Sequence, residues 1–388
     1  AAALLLLINP VFWFNSEISM SYASEAFFVI LTAYFLWQTM TGKRWLDVIL
    51  AGLFLGITAG VRPTSLMFLF PLFLYCLWFL KSEPRKIIGG FLALFLSITV
   101  WFIPFILNTG LVNFLQTNAL AGQWVFLSSL QAGSAELWLE NIKLFAIYLG
   151  LALNLGGLFV WPKLSIDRHK LMFLIVWAMP ALAFYFLVHA PNSGYFLLPL
   201  PALVLWLSVN LAQKKSRAFL IMLLAANIGI FFWWPFKLSF FQPLYANIYR
   251  HDQQTALLIS AIRENFKPNS TLILDFAMQK YFGFRQTMWY LPEFRALLFG
   301  NASLEENRKI WQGQNKNLEF VDQIDTASVT DFIILTPPQA GALPGWFKEK
   351  LQEQNMGGAV FSLYKNTGEI VSISHQRGAP VFNTVKEQ

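Results

Sequence analysis

The sequence predicts a mainly α-helical fold, a polytopic transmembrane domain over residues 1–239 followed by a small extracytoplasmic α/β domain over residues 240–388. Three observations predict it. The chain is 56% hydrophobic and 13% charged, whereas soluble domains are about 45–50% apolar and about a quarter charged. Apolar runs of near-span length recur through the first part. From about residue 240 the sequence changes to short strand-like and helix-like segments.

About eight or nine spans are predicted, since a bilayer is crossed by about 20 apolar residues. The first run is short, the chain starts with Ala, and no basic segment precedes the run, which excludes a signal peptide. We therefore expect an N-terminally truncated chain. The predicted spans are residues 1–14, 25–41, 45–60, 64–80, 87–107, 142–161, 171–188, 195–211 and 218–236.

The connections between spans differ in charge. TGKRW, KSEPRK, PKLSIDRHK and QKKSR together hold eleven Lys and Arg residues. FNSEISMSYASE, GVRPT, segment 108–141 and HAPNSG hold only Arg62, with Lys143 at the edge of the next span. Cytoplasmic loops are enriched in cations, so the basic set is predicted to be cytoplasmic and the other set external. Segment 108–141 is either a set of amphipathic pieces on the outer interface or an ordinary loop.

The second part is nearly neutral, with 15 Lys and Arg against 14 Asp and Glu over residues 237–388, so no basic face for nucleic acid is expected. TLILD, FIILTP and AVFSLYK are typical of strands, and TGEIVSISH of a hairpin strand. HDQQTALLISAIRENF and PGWFKEKLQEQN are predicted helices. The final HQRGAPVFNTVKEQ is expected to be a loose tail.

Two carboxylates lie in the first external gap. Glu25 is predicted to open a membrane helix, where the helix dipole alone favours a carboxylate by about 0.3–1 kcal/mol. Acidic groups near the membrane interior also tend to be functional, and a run of Ser, Asn and Tyr precedes Glu25. Both interpretations stay open. Glu17 is interpreted first as an interface residue and second as part of an acceptor site.

Further candidates lie in two other external loops. Pro63 is predicted to end a helix next to Arg62. The Arg62 side chain either snorkels to lipid headgroups or binds a phosphate through paired N–H groups. HAPNSGY contains His189, Asn192 and Tyr195; an isolated His is more often a structural hydrogen-bonding group, and Asn-Ser-Gly is first of all a turn. There is no metal-ligand spacing or nucleotide motif.

Three stretches, taken together, resemble the GT-C superfamily of polytopic glycosyltransferases. INPVFWFNSEISMSYASEAFFVILTAYFL resembles the family segment in which a span, an outer loop and an acidic helix start follow one another. AGLFLGITAGVRPTSLMFLFPLFLY and HAPNSGYFLLPLPAL are similar to later family segments, and FGFRQTMWYLPEF to their outer domains. The resemblance is to the family 39/83 type, which includes protein mannosyltransferases, aminoarabinose transferases and RgtA/B/C/D-like transferases.

The resemblance implies transfer of a sugar from a polyprenyl-phosphate donor to a lipid, glycan or protein acceptor, outside a bacterial inner membrane. It implies that Glu25 is the second acidic residue of the active site, with the principal Asp upstream of Ala1, so that this fragment could be inactive. Arg62, His189 and Tyr195 would bind the donor phosphate, and Glu17 and Asn192 would lie towards the acceptor. Gly194 stands where the family usually has Arg. No cofactor is obligatory, and a divalent metal is left open.

Other classes remain open at this point. A transporter or flippase would favour broken helices with polar groups at mid-membrane. An oligosaccharide ligase or polymerase would favour Arg and His in a large outer loop, and segment 108–141 has neither. A non-catalytic membrane scaffold is the third alternative.

Overall fold

The computed structural model describes residues 1–17, 21–112, 114–115, 135–154, 167–188, 192–213, 217–233, 245–275, 287, 289–298, 323–325, 331–334, 352–356, 359–365, 370–376 and 379–384. The chain forms two compact units. Unit 1 contains residues 1–111 and 118–248, and unit 2 contains residues 112–117 and 249–388. The domain boundary predicted at residues 239 and 240 stays a prediction.

Unit 1 is helical in the part that the structure describes, and the prediction of a mainly α fold is confirmed. A short 3₁₀ helix spans Ser193–Leu197. The α-helices are α1 (Ala2–Leu7), α2 (Pro10–Glu17), α3 (Tyr22–Gly42), α4 (Trp45–Val61), α5 (Pro63–Trp78), α6 (Pro84–Thr109), α7 (Ala135–Ala152), α8 (Arg168–Leu187), α9 (Leu200–Gln213) and α10 (Arg217–Trp233).

Two of the described helices, α6 and α8, are long and apolar enough to cross a membrane, and several shorter apolar helices accompany them. Both expose large apolar side chains. On α6 these include Phe95, Val100 and Leu107, and on α8 they include Met179 and Leu187. Water disfavours apolar faces of this size, and lipid accepts them.

The first apolar run and the first gap differ from their predictions. The run 1–14 is interrupted between α1 and α2 at Asn9 because Pro10, which has no N–H, cannot continue a helical hydrogen-bond ladder. The gap 14–25 is partly helical, since α2 extends to Glu17 and α3 begins at Tyr22. The span predicted at 142–161 begins earlier, as α7 at Ala135.

Helices α4 and α6 lie close together along a stripe of small residues. A Cβ atom added at Gly52 would overlap the backbone carbonyl of Gly90, and one at Gly56 would lie 2.5 Å from Ser97 Cβ. Without those Cβ atoms the backbones come close enough for Ser97 Oγ to donate to the Leu53 carbonyl at 2.9 Å. Small residues serve this purpose in membrane helix pairs, where close packing replaces the hydrophobic effect.

Buried apolar side chains form two clusters in unit 1. The first joins α3, α4, α5 and α8 around residues such as Leu36, Phe73 and Trp177. The second joins α1, α7, α9 and α10 around residues such as Leu5 and Leu207. The 3₁₀ helix lies between the clusters, because Tyr195 packs on the first and Phe196 belongs to the second.

Three of the four basic connections are linked by contacts in the structure. Lys86 Nζ donates to the Lys43 carbonyl at 2.6 Å, which joins the α3–α4 connection to the start of α6. The Phe79 ring meets the His169 ring edge-on at 5.5 Å, which joins the end of α5 to the start of α8. These three basic connections therefore lie at the same end of the helices, and the α4–α5 junction lies at the opposite end.

Unit 2 contains two sheets after α11 (Tyr245–Asn265), which leads into it. In the larger sheet the order is β2-β1-β4-β6-β5, with β1 parallel to β2 and β4, and β6 antiparallel to β4 and β5. In the smaller, antiparallel sheet it is β3-β7-β8. The strands are β1 (Thr271–Asp275), β2 (Arg295–Leu298), β3 (Gln323–Asp325), β4 (Asp331–Ile334), β5 (Gln352–Met356), β6 (Ala359–Lys365), β7 (Ile370–Gln376) and β8 (Ala379–Thr384).

Several elements predicted for the second part are present. TLILD is β1, AVFSLYK is β6, and HDQQTALLISAIRENF lies in α11 except for its last residue. Two expectations were wrong. The helix PGWFKEKLQEQN is contradicted at its last four residues, which lie in β5 and pair with β6. The tail is not loose over Ala379–Thr384, because these residues form β8 and complete a hairpin with β7.

Candidate functional site

Glu25 and Arg62, 37 positions apart in sequence, form an ion pair between α3 and the α4–α5 junction. Arg62 Nη1 donates to Glu25 Oε2 at 3.1 Å. Ser65 Oγ donates to the other carboxylate oxygen, Oε1. Each carboxylate oxygen of Glu25 thus accepts one hydrogen bond, one from Arg62 just before α5 and one from Ser65 within α5. These two bonds fix the orientation of the carboxylate.

The local sequence explains why Arg62 lies at this place. Pro63 favours an extended conformation for the residue before it and is well suited to the first position of a helix. Arg62 has φ −153° and ψ 110°, and α5 starts at Pro63. Arg62 therefore lies at the turn between α4 and α5. Glu25 lies in the first turn of α3, as predicted.

Aromatic rings surround the guanidinium group. Arg62 Cζ lies 4.9 Å from the centroid of the Tyr22 ring and 4.5 Å from that of Tyr195. Tyr185 of α8 stacks on Tyr195, with centroids 4.9 Å apart and planes 10° apart. Cations over aromatic faces are attracted by the ring quadrupole, so the rings and Glu25 hold Arg62 together.

The 3₁₀ helix places Tyr195 against Arg62. Asn192 caps it, because its side-chain oxygen accepts from the Gly194 N–H at 3.1 Å. Gly194 lies under the Tyr22 ring, and a Cβ there would come within 2.5 Å of the ring atoms. Only glycine allows this approach without moving the ring, so Gly194 is needed for the contact between α3 and the 3₁₀ helix.

Burial sets the electrostatics of the pair. The Glu25 side chain is 2% exposed and the Arg62 side chain 18% exposed. A guanidinium carries five N–H donors in a planar fork, and among the described side chains Glu25 accepts a hydrogen bond from one of them. A partly exposed cation beside a buried carboxylate can attract an anionic group at its exposed edge.

The site joins some predicted residues and leaves others aside. Glu25, Arg62 and Tyr195 are brought together, and Asn192 lies one turn away as the cap of the 3₁₀ helix. Glu17 is the last residue of α2, and its side chain lies outside the described part. His189 lies outside the described residues. Their assigned roles in donor and acceptor binding stay predictions.

Sequence reasoning missed Ser65 and Tyr185. Ser65 follows Arg62 by three positions, which on a helix start places it near the same partner, and this spacing could have indicated it. Tyr185 lies in an apolar run with no distinguishing neighbour, and only the tertiary packing of α8 brings it to Tyr195.

Comparisons with known proteins give no match: no family model, no curated protein and no solved structure matches the chain. Among the described residues, no group of three or more His, Cys, Asp or Glu side chains could hold a metal ion. The candidate site therefore consists of Glu25, Arg62, Ser65 and the three tyrosines around Arg62.

Proposed function

We propose that the chain is a multi-pass membrane glycosyltransferase of the GT-C kind. It moves a sugar from a polyprenyl-phosphate donor to a lipid, glycan or protein acceptor on the extracytoplasmic face of the bacterial inner membrane, and unit 2 is its extracytoplasmic α/β domain. The observation that carries the proposal is the ion pair between Glu25 and Arg62, since both residues belong to the stretches that resemble this superfamily.

The placement of charge supports the proposed sidedness. Contacts gather the basic connections at Lys43, Lys86 and His169, at one end of the helices. Glu25 and Arg62 lie at the other end of α3 and α4. A basic end is expected in the cytoplasm, which would leave the ion pair at the extracytoplasmic end, where a lipid-linked sugar is used.

The transfer requires a defined set of proton and electron movements. The acceptor oxygen attacks the anomeric carbon, the bond from that carbon to the phosphate oxygen breaks, and its electron pair leaves with the polyprenyl phosphate. A base takes the acceptor proton. Arg62 would offset the charge on the phosphate, as electrostatic stabilisation of a developing charge requires. Glu25 would orient Arg62 and the acceptor.

The test is a transfer assay on the natural full-length protein in nanodiscs, with a panel of labelled polyprenyl-phosphate hexoses and pentoses. For Glu25→Gln and Arg62→Ala we expect transfer rates lower by about 100-fold or more, because each removes charge from the site. Glu25→Gln keeps the size of the side chain and so separates loss of charge from loss of packing.

Arg263→Ala is the matched control, because Arg263 forms an Arg–Glu pair with Glu293 within unit 2. It should transfer at the wild-type rate. Thermal unfolding of each variant checks that it is folded. Wild-type rates for folded Glu25→Gln and Arg62→Ala would reject the proposed roles, and no transfer by the unsubstituted protein from any donor would reject the proposed function.

A transporter or flippase is the second candidate, and one observation favours it. Helices α1 and α2 are interrupted at Asn9, and Asn9 contacts the end of α7 at Leu151 and Asn154, so buried polar groups lie at broken helices. Broken helices of this kind form substrate sites in secondary transporters. Substrate flux into proteoliposomes without any covalent transfer would favour this alternative.

A further inference from the structure

Three fully buried asparagines meet within the second apolar cluster of unit 1. Asn9 lies between α1 and α2, Asn154 follows the end of α7, and Asn227 lies in α10; each is 0% exposed. Asn154 has φ 53°, in the left-handed region that Asn tolerates better than most residues. The surroundings include Leu5, Val11, Leu151, Ala152 and Leu223, so the amides lie in a medium where an unmade hydrogen bond is costly.

The hydrogen bonds fix which end of each amide is nitrogen. Asn9 Nδ2 donates to the Leu151 carbonyl at 2.8 Å and to Asn154 Oδ1 at 3.2 Å. Asn9 Oδ1 accepts from the Val11 N–H at 3.0 Å. A flip of Asn9 or Asn154 would bring two donors or two acceptors together, so both orientations follow from the network.

Asn227 is oriented in the same way by two carbonyl groups. Its Nδ2 donates to the Leu223 carbonyl at 2.8 Å and approaches the Asn154 carbonyl at 3.4 Å. Its Oδ1 therefore points away from both oxygens. Asn154 and Asn227 are neighbours through this contact, and each has one side-chain amide atom without a hydrogen bond.

Of the two amide atoms without a hydrogen bond, one is a donor and the other is an acceptor. Asn154 Nδ2 and Asn227 Oδ1 are buried and have no hydrogen-bond partner among the residues that the structure describes. Such groups in folded proteins are nearly always satisfied, either by protein or by an ordered water. The two atoms are not hydrogen-bonded to each other, so a third group is required to satisfy both.

We infer that Asn154 and Asn227 form a binding site for one buried water molecule. The water accepts from Asn154 Nδ2 and donates to Asn227 Oδ1, which gives it two of the two to four polar partners that buried waters have. It links the end of α7 to α10, and through Asn9 it links both to the break between α1 and α2. The site does not depend on glycosyl transfer, so failure of the proposed function would leave it in place.

The donor excludes a metal cation at the same point. A cation needs several oxygen ligands, and an N–H dipole directed at it would be repulsive. The Leu151 carbonyl already accepts from Asn9, and Asn154 Oδ1 does too. A molecule that both accepts and donates satisfies the pair, and water is the smallest of these.

The test is a double-mutant cycle on the whole protein in detergent, measured by thermal unfolding. Asn154→Ala and Asn227→Leu each remove one end of the bridge, and each should lower the Tm by about 3 °C or more. The double variant should lower it by less than the sum of the two single effects, because both variants lose the same water, although each also loses direct hydrogen bonds of its own. Additive losses would overturn the inference.

Two further measurements keep the inference falsifiable if a variant fails to fold. A map of the unsubstituted protein that resolves ordered waters should show a peak within about 3 Å of both Asn154 Nδ2 and Asn227 Oδ1. A map without that peak would overturn the inference. Exchange of Na⁺ or K⁺ for a large organic cation should leave the Tm unchanged, and a Tm that rises with either ion would show a cation site instead.

Discussion

Two Arg–Glu pairs in the part of the chain that the structure describes lie in contrasting surroundings. Arg62 and Glu25 in unit 1 are joined at 3.1 Å, with side chains 18% and 2% exposed. Arg263 and Glu293 in unit 2 are joined at 2.7 Å, with side chains 52% and 36% exposed. The exposed pair is the shorter of the two, so distance alone would rank it as the stronger.

Burial reverses that ranking. Water screens the charges of an exposed pair, and it hydrates the remaining charge when one partner is removed. Most exposed pairs therefore contribute little to the free energy of unfolding. A buried carboxylate has no replacement for its partner, and loss of one member leaves an uncompensated charge. The contrast indicates that Arg62 is held in its position by a buried partner, whereas Arg263 forms an exposed pair at the surface.

The largest expected effect comes from breaking the buried pair. Arg62→Met should destabilise the protein by about 3–5 kcal/mol, because it leaves the Glu25 carboxylate buried without its cation. The measurement is chemical or thermal unfolding of the purified protein in detergent. The control is the double variant Arg62→Met with Glu25→Gln, which removes both charges and should recover most of the loss. Losses that simply add would contradict the pairing.

A smaller effect is expected when the charge is kept and the shape changed. Arg62→Lys should cost about 1–2 kcal/mol, because the ammonium group cannot lie flat between the Tyr22 and Tyr195 rings as the guanidinium does. The same unfolding measurement applies. If Arg62→Lys were as damaging as Arg62→Met, the shape of the guanidinium rather than its charge would dominate the site.

A third change disturbs the aromatic surroundings and leaves both charges intact. Gly194→Ala places a methyl group within 2.5 Å of the Tyr22 ring, so the ring must shift from its place against Arg62. The expected loss is about 1 kcal/mol, the scale of a cation–π contact. Gly229→Ala is the matched control, since a Cβ there meets nothing within 4 Å. Equal stability of the two variants would show that the ring contact contributes nothing.

The sequence predicted the buried pair better than its surroundings. The charge asymmetry of the connections assigned Glu25 and Arg62 to one side of the membrane, and Pro63 indicated the turn that frees Arg62. The two residues do meet. Tyr185 could not be predicted, because its place depends on how α8 packs, and no local pattern encodes that.

The second part was harder because short segments carry weak periodicity. AVFSLYK alternates and is rich in strand formers, and it is β6 as predicted. QEQN looked helical because Glu and Gln are good helix formers, yet it lies in β5, where pairing with β6 overrides propensity. The buried asparagines were missed for a similar reason, since nothing in the sequence links Asn9 to Asn154 or Asn227.

The smallest effect is expected at the exposed pair, and pH is the way to see it. The hydrogen bond from Arg263 lowers the pKa of Glu293 below its usual value near 4.3. A lowered folded-state pKa stabilises the protein at pH values above the unfolded pKa, and the contribution is lost as pH falls through the folded pKa. Removing Arg263 should abolish this contribution.

Arg263→Ala should therefore lower the Tm slightly at pH 6–7, and the difference from wild type should shrink as the solution is acidified below about pH 4. Added salt should also shrink it, because exposed charges are screened. Added salt should remove much less of the penalty of Arg62→Met, since its stranded carboxylate is shielded from the solvent ions. Acid should reduce that penalty as well, because protonation of Glu25 removes the uncompensated charge. A difference at Arg263 that grows in acid would mean that its partner is not an ionised carboxylate, and the contrast between the two pairs would then rest on charge state rather than burial.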